Sequence, residues 1–122
     1  MAPPPAANLL YGNSRRPNYD GIPTVVFTTP TLTRAGLDEA TARARGLRFT
    51  TRHEDTSKWY SSRRVGLRNT GFKTLVEDDT ERILGAHLLG PHAEEIVNIF
   101  GLAIRTGLSA HHLKDMVFAY PT

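Results

Sequence analysis

Residues 83–122 read ILGAHLLGPHAEEIVNIFGLAIRTGLSAHHLKDMVFAYPT, and the order of elements in that stretch decides the fold. Residues 83–89 have the composition of a strand, which Gly90-Pro91 ends. The spacing that follows predicts a helix over 92–106, with Pro91 suited to its first turn and Gly107 past its end. Glu94 and Glu95 complement the positive helix start, and Arg105 the negative end. One stripe, formed by Ile96, Ile99, Phe100, Ala103 and Ile104, recurs at helical spacing. Val97, Gly101 and Leu102 are apolar too, so after Glu95 only Asn98, Arg105 and Thr106 are polar. A surface helix needs one apolar stripe, whereas this one is apolar over most of its circumference. A chain of 122 residues has little material with which to enclose a helix completely. Either the helix is buried within one chain, or one side packs on a sheet and another on a second chain; the shortness of the chain favours the second, with Ile96, Val97, Phe100 and Ile104 at the dimer contact. Ser109 caps a last helix over 110–116, with Leu113, Met116 and Val117 facing inward, and residues 118–122 are extended.

Working outward, residues 72–77 and 83–89 flank Asp78-Asp79-Thr80-Glu81-Arg82 as a β-hairpin that supplies the centre of an antiparallel sheet. Residues 24–28 are β-branched and aromatic, a strand closed by Pro30. Asp38 caps a helix over 39–45 that stops at Gly46, with Ala40 and Ala44 on one face and Leu37 stapling its start. Leu47, Phe49 and Thr51 alternate with Arg48, Thr50 and Arg52, which predicts a second strand with one charged face. Residues 53–69 read either as a strand or as an excursion, and Trp59 within them is expected to pack. Residues 1–20 are rich in Pro, Ala and Asn, without a sustained period, and read as an arm or linker. The expected class is α+β: an antiparallel sheet with helices packed on one face, in a domain over 21–122.

Hydrophobic content of 39% and charged content of 22% are ordinary for a globular domain. The chain has no cysteine, which excludes a disulfide, a thiolate metal site and a thiol nucleophile within it. Part of the +3 net charge gathers at Arg43, Arg45, Arg48, Arg52, Lys58, Arg63, Arg64 and Arg68. A solvated face with local ion pairs accounts for such a cluster, and a nucleic-acid patch is the other reading. No helix-turn-helix or zinc-finger spacing accompanies these charges. No basic segment precedes an apolar core at the start, and no apolar run approaches a membrane span, so a cytoplasmic location is expected. His111 and His112 are adjacent and point apart on a helix, so no metal site is expected. No G-x-G-x-x-G follows a strand. Gly85 and Gly90 are spaced like the ends of a phosphate loop, but Pro91-His92 follows where Lys-Ser/Thr is needed. These glycines read instead as close packing between hairpin and helix.

Several short motifs recur in order: Ile22-Pro23 with Val26-Phe27-Thr28 and Pro30, Gly71-Phe72-Lys73, Ile83-Leu84-Gly85-Ala86-His87, Gly90-Pro91, Ala93-Glu94-Glu95-Ile96, and the final Tyr120-Pro121-Thr122. Together they resemble the C-terminal dimerisation domain of the pyridine nucleotide-disulfide oxidoreductases, which include glutathione reductase, mercuric reductase and dihydrolipoamide dehydrogenase. The resemblance covers residues 21–122, and residues 6–13 look like the tail of the FAD domain that precedes it in the family. It implies a two-fold homodimer and an active site shared between chains, with FAD and NAD(P)H as cofactors of the parent enzyme. It places Tyr120, Pro121 and Thr122 in the active-site loop, with Tyr120 where the family has its acid/base histidine. A phenol with a reference pKa of about 10 is a poor base near neutrality, where imidazole at about 6.5 is well matched. The glutamate that orients that histidine in the family would follow Thr122. Tyr120-Pro121 is also a candidate cis peptide, as an aromatic before proline in a tight loop.

The function expected is that of a dimerisation domain or fragment, mediating homodimer formation, binding no cofactor alone and not catalytic alone. A stand-alone interaction protein that pairs with a full-length oxidoreductase is the alternative, and a basic nucleic-acid-binding domain a more distant one.

Overall fold

A computed structural model of the chain describes residues 4–120. Its elements in chain order are α1 (Pro4–Tyr11), β1 (Thr24–Val26), β2 (Leu32–Gly36), α2 (Glu39–Ala44), β3 (Phe49–Asp55), α3 (Tyr60–Arg64), β4 (Gly71–Glu77), β5 (Ile83–Leu89), α4 (Ala93–Thr106) and α5 (Ala110–Asp115). The strands form one five-stranded sheet in the order β1-β2-β5-β4-β3, and every pairing is antiparallel. The α+β class therefore holds, and the 72–77/83–89 hairpin supplies its middle.

Side chains alternate across a strand, so each strand sorts its residues between two faces. On one face Thr33, Ala35, Ala86 and Leu88 are buried, and α4 lies over β2 and β5 there. Ala35, Leu88, Ala93 and Val97 form the core, with Val25, Phe72, Phe100 and Ile104 packed against it. On the other face the cross-strand row Arg34, His87, Lys73 and His53 runs in register over four strands. The short helix α2 reaches round to this face, where Glu39 accepts a hydrogen bond from Lys73 Nζ at 3.0 Å.

Asp38 caps α2 as expected, its carboxylate accepting from Thr41 N at 2.7 Å, and Gly46 follows with φ +68°. That bond and the Glu39–Lys73 pair hold both carboxyls below their ordinary range. The buried face of α2 is that of Ala42, and Ala40 and Ala44 are exposed. A helix of six residues has room for one inward turn, and Ala42 takes it.

Three further expectations change. A strand, β2, occupies 32–36, where none was expected. A helix, α1, occupies part of the supposed arm, with Ala7 buried and the Asn8 amide bonded to Arg15 N and O. The excursion after β3 contains helix α3 and is pinned by three hydroxyls: Thr70 Oγ1 lies 2.9 Å from Thr56 Oγ1 and 2.8 Å from Ser62 Oγ, all three residues buried. Gly85 packs against the backbone of Leu37, not against a helix, and a Cβ added to Gly90 would meet nothing closer than Thr70 at 3.8 Å. The cis peptide found among the described residues is Thr29-Pro30, and the one expected at Tyr120-Pro121 lies outside them.

The arginine cluster is spread over several elements. Arg43 pairs with Glu39, Arg48 with Asp79 and Arg52 with Glu54, while Arg43 and Arg52 also lie over the rings of Phe49 and Phe72. No helix among the described residues is long and apolar enough to cross a membrane.

Candidate functional site

Helix α4 is fixed at both ends. It begins after His92, whose φ of 59° turns the chain sharply out of Gly90-Pro91, so Pro91 precedes the first turn instead of entering it. It ends at Gly107, left-handed at φ 67°, whose N–H returns to Ala103 and Ile104 carbonyls. Midway, Gly101 brings the helix against the chain before β1. A Cβ there would fall 2.8 Å from Pro23 Cγ and 3.0 Å from the Gly21 carbonyl oxygen, closer than a side chain tolerates.

That close seating decides which way each α4 side chain faces. Ala93, Val97, Gly101 and Ala103 are buried, and Phe100 and Ile104 are half-buried on the core. Val97 is fully buried in its own protomer, so it supports the helix from below and presents no outer surface. Of the four contact residues expected from sequence, Ile96 alone is exposed, at 42%. Beside it stand Ile99 at 38% and Leu102 at 61%. Positions three apart step about 60° round a helix, so these side chains cover an arc of about 120° turned away from the sheet. The spacing of three was the available signal for this arc, but Val97, Phe100 and Ile104, three and four apart, are equally helical in another phase.

Polar residues border the arc on one side: Glu95 and Thr106 stand at its two ends and Asn98 and Arg105 along one flank, all exposed. Asn98 Nδ2 donates to the Glu94 carbonyl at 3.1 Å, and Thr106 Oγ1 to that of Leu102 at 2.7 Å, so both are occupied by their own helix. An exposed apolar strip bordered by polar residues has the composition of a protein–protein contact.

Past Gly107 the chain is tied to the β4–β5 turn, Ala110 N donating to the Glu81 carbonyl at 2.8 Å. Ser109 caps α5 through His112 N, and His112 Nδ1 lies 2.7 Å from Ser109 Oγ. His111 Nδ1 pairs with Asp115 at 2.6 Å, so the adjacent histidines do point apart. Met116 and Val117, expected to face inward, are exposed in the protomer because α5 stops at Asp115 and the chain leaves extended. Tyr120 is 96% exposed, while Pro121 and Thr122 lie outside the described residues.

Among the described residues every strand pairing is antiparallel, so no parallel strand–helix–strand crossover brings a glycine-rich turn under a helix N-terminus. The structure thus defines a small α+β domain with a self-satisfied core and one long helix left partly apolar outside.

The family described as pyridine nucleotide-disulphide oxidoreductase, dimerisation domain, matches residues 22–122. The chain belongs to that family, whose parent enzymes are FAD-dependent disulfide oxidoreductases in which this domain mediates self-association. It is 40% identical over 117 residues to an uncharacterized 19.7 kDa protein in a mercuric resistance operon of Staphylococcus aureus, covering 96% of this chain and 65% of that protein. It is 36% identical over 124 residues to dihydrolipoyl dehydrogenase of Staphylococcus aureus, covering 96% of this chain and 25% of that enzyme. The HOCl-induced flavoprotein disulfide reductase RclA of Escherichia coli superposes with a TM-score of 0.84 at 29% identity, over 96% of this chain and 27% of RclA. The chain thus spans about a quarter of the full-length enzymes it matches.

Proposed function

We propose that this domain joins two copies of its chain about a two-fold axis through the outer arc of α4: Ile96, Ile99 and Leu102. The observation that carries this is the division of one helix into two apolar faces. The inner face is already buried on β2 and β5, so the outer one has no remaining work within the protomer. Phe100 and Ile104 lie beneath the contact and set the height of the arc. An isologous pairing needs a self-complementary patch, which an uncharged helix arc provides.

In this reading residues 1–20 are the remnant of a preceding FAD domain, and Tyr120 stands at the end of an active-site loop without the base that the family uses. The domain then supplies association and not chemistry. NAD(P)H and FAD belong to the parent enzymes. The same arc would accept the matching domain of a full-length disulfide oxidoreductase, giving a mixed dimer. This second reading is favoured by the 36% identity with an enzyme that carries the domain in a quarter of its length.

Analytical ultracentrifugation tests the first reading. A dimer at micromolar concentration is expected, and a monomer at every accessible concentration would sink it. Mixing with a full-length relative and looking for a species of intermediate mass tests the second.

A further inference from the structure

The basic cluster seen in the sequence divides in two in the folded chain. Arg43, Arg48 and Arg52 each hold a carboxylate, that of Glu39, Asp79 and Glu54. Lys58, Arg63, Arg64 and Arg68 lie in the excursion between β3 and β4 and form no ion pair among the described residues. Residues 56–70 contain these four cations and no acid, so the segment carries a charge of +4. All four side chains are exposed. Like charges gathered without counter-charges repel one another, and a bound anion relieves that repulsion.

The segment is also held in one orientation. Ser62 is turned inward, buried, and bonded to Thr70 at 2.8 Å, which fixes the rotation of α3. Tyr60, Arg63 and Arg64, three and four positions apart, share one face of that helix, and all three are exposed. The Tyr60 ring is 80% exposed. Arg68 carries the patch to the rim of an open trough of about 500 Å³ on the sheet face opposite α4. Lys73, His53 and His87 line that trough, side by side on three strands. Asp55 is the one acid lining it, and its carboxylate already accepts from Ser57 N at 2.8 Å.

We propose that this surface binds single-stranded nucleic acid. Phosphodiesters lie on Arg63, Arg64 and Arg68, a base stacks on Tyr60, and the strand continues into the trough at Lys73. The exposed ring among unpaired cations selects this partner. An acidic peptide would satisfy the cations and leave the ring without a role. A duplex keeps its bases stacked on one another. A lipid surface takes up an apolar face, whereas this face presents one ring among positive charges. A single strand brings regularly spaced phosphates together with bases free to stack. The patch shares no residue with the outer arc of α4, so it does not depend on the pairing proposed above.

The anisotropy of a labelled oligothymidylate of about 12 nucleotides is measured against the full chain. Counterion release by four cations predicts that affinity falls about 50-fold between about 50 and 200 mM salt. Arg63→Ser/Arg64→Ser is expected to weaken low-salt binding by about tenfold or more and to flatten the salt dependence, and Arg63→Lys/Arg64→Lys to retain both. Tyr60→Ala is expected to weaken binding about tenfold with the salt dependence unchanged, as loss of a stacked base requires. Arg48→Ser, which removes a cation already paired with Asp79, is the control and should change little. Absence of binding at the lower salt overturns the proposal. So does equal weakening by Arg48→Ser, indifference to Tyr60→Ala, or tighter binding of inorganic polyphosphate or phosphatidylserine vesicles than of the oligonucleotide. Sedimentation of the same samples separates this site from the α4 pairing. A monomer that binds the strand upholds the site and sinks the pairing, and a dimer that does not bind it does the reverse.

Discussion

The carbonyl oxygen of Leu37 stands where a side chain on Gly85 would begin: a Cβ built on Gly85 falls 2.0 Å from it. The chain leaving β2 crosses the central strand at this point, and Leu37 N donates to the Leu84 carbonyl at 2.9 Å. Gly85→Ala must therefore move backbone on one of two elements. A loss of about 4 kcal/mol or failure to fold is expected, measured by urea unfolding. Gly90→Ala, whose Cβ meets Thr70 only at 3.8 Å, is the control and should change stability by less than about 1 kcal/mol.

The two sides of α4 should separate on mutation. Val97→Ala empties a fully buried site and should cost about 2 kcal/mol of protomer stability, measured under dilute conditions that remove association. Leu102→Glu puts a charge on the exposed arc, should leave the protomer's unfolding midpoint nearly unchanged, and should weaken self-association by about 100-fold or more. Equal effects of the two substitutions on both measurements would contradict the assignment of faces.

The hydroxyl trio gives a local prediction. Thr70→Val removes the shared partner of Thr56 and Ser62 and leaves two buried hydroxyls to find others. The expected cost is about 1–3 kcal/mol. Faster amide exchange should be confined to residues 56–70, and a uniform rise across the sheet would count against a local role.

Acid should weaken the domain through identifiable carboxylates. Lys73 beside Glu39 lowers its carboxyl pKa from an ordinary 4.5, and backbone N–H donors at Thr41 and Ser57 lower those of Asp38 and Asp55 from 3.8. A folded-state pKa below the unfolded one means that the stabilisation is complete above the unfolded value and is lost as pH falls through the folded value. Urea midpoints should thus hold steady down to about pH 5 and fall below pH 4. Glu39→Gln should start lower at neutral pH and fall less steeply. A midpoint that rises on acidification would contradict the account.

Much of the fold was legible because its signals are local. The β4–β5 hairpin, the Asp38 cap and the Gly107 stop each depend on a few adjacent residues with one favoured geometry. Strand β2 was not legible, because its inward residues are Thr33 and Ala35, too small to mark an apolar period. Their smallness matters only once α4 lies on them, with Thr33 Oγ1 3.4 Å from the Ala93 carbonyl. Helix α1 was hidden by Pro4 and Pro5, which suit a first helical turn as well as a linker. The existence of α4 was plain but its rotation was not. When apolar residues occupy most of a helix, periodicity cannot say which face meets the sheet, and Val97, Phe100 and Ile104 were assigned outward for that reason. The inward direction is set by Gly101 against Gly21 and Pro23, a contact between segments 80 residues apart in sequence.

The strand order β1-β2-β5-β4-β3 makes the middle of the sheet the last strand to be synthesised. Without residues 83–89 the sheet would divide into two separate pairs, β1–β2 and β3–β4, each with an open edge facing the place that β5 takes. The sheet therefore stays in two parts without that strand, and α4, which covers the join between β2 and β5, follows it directly in the chain.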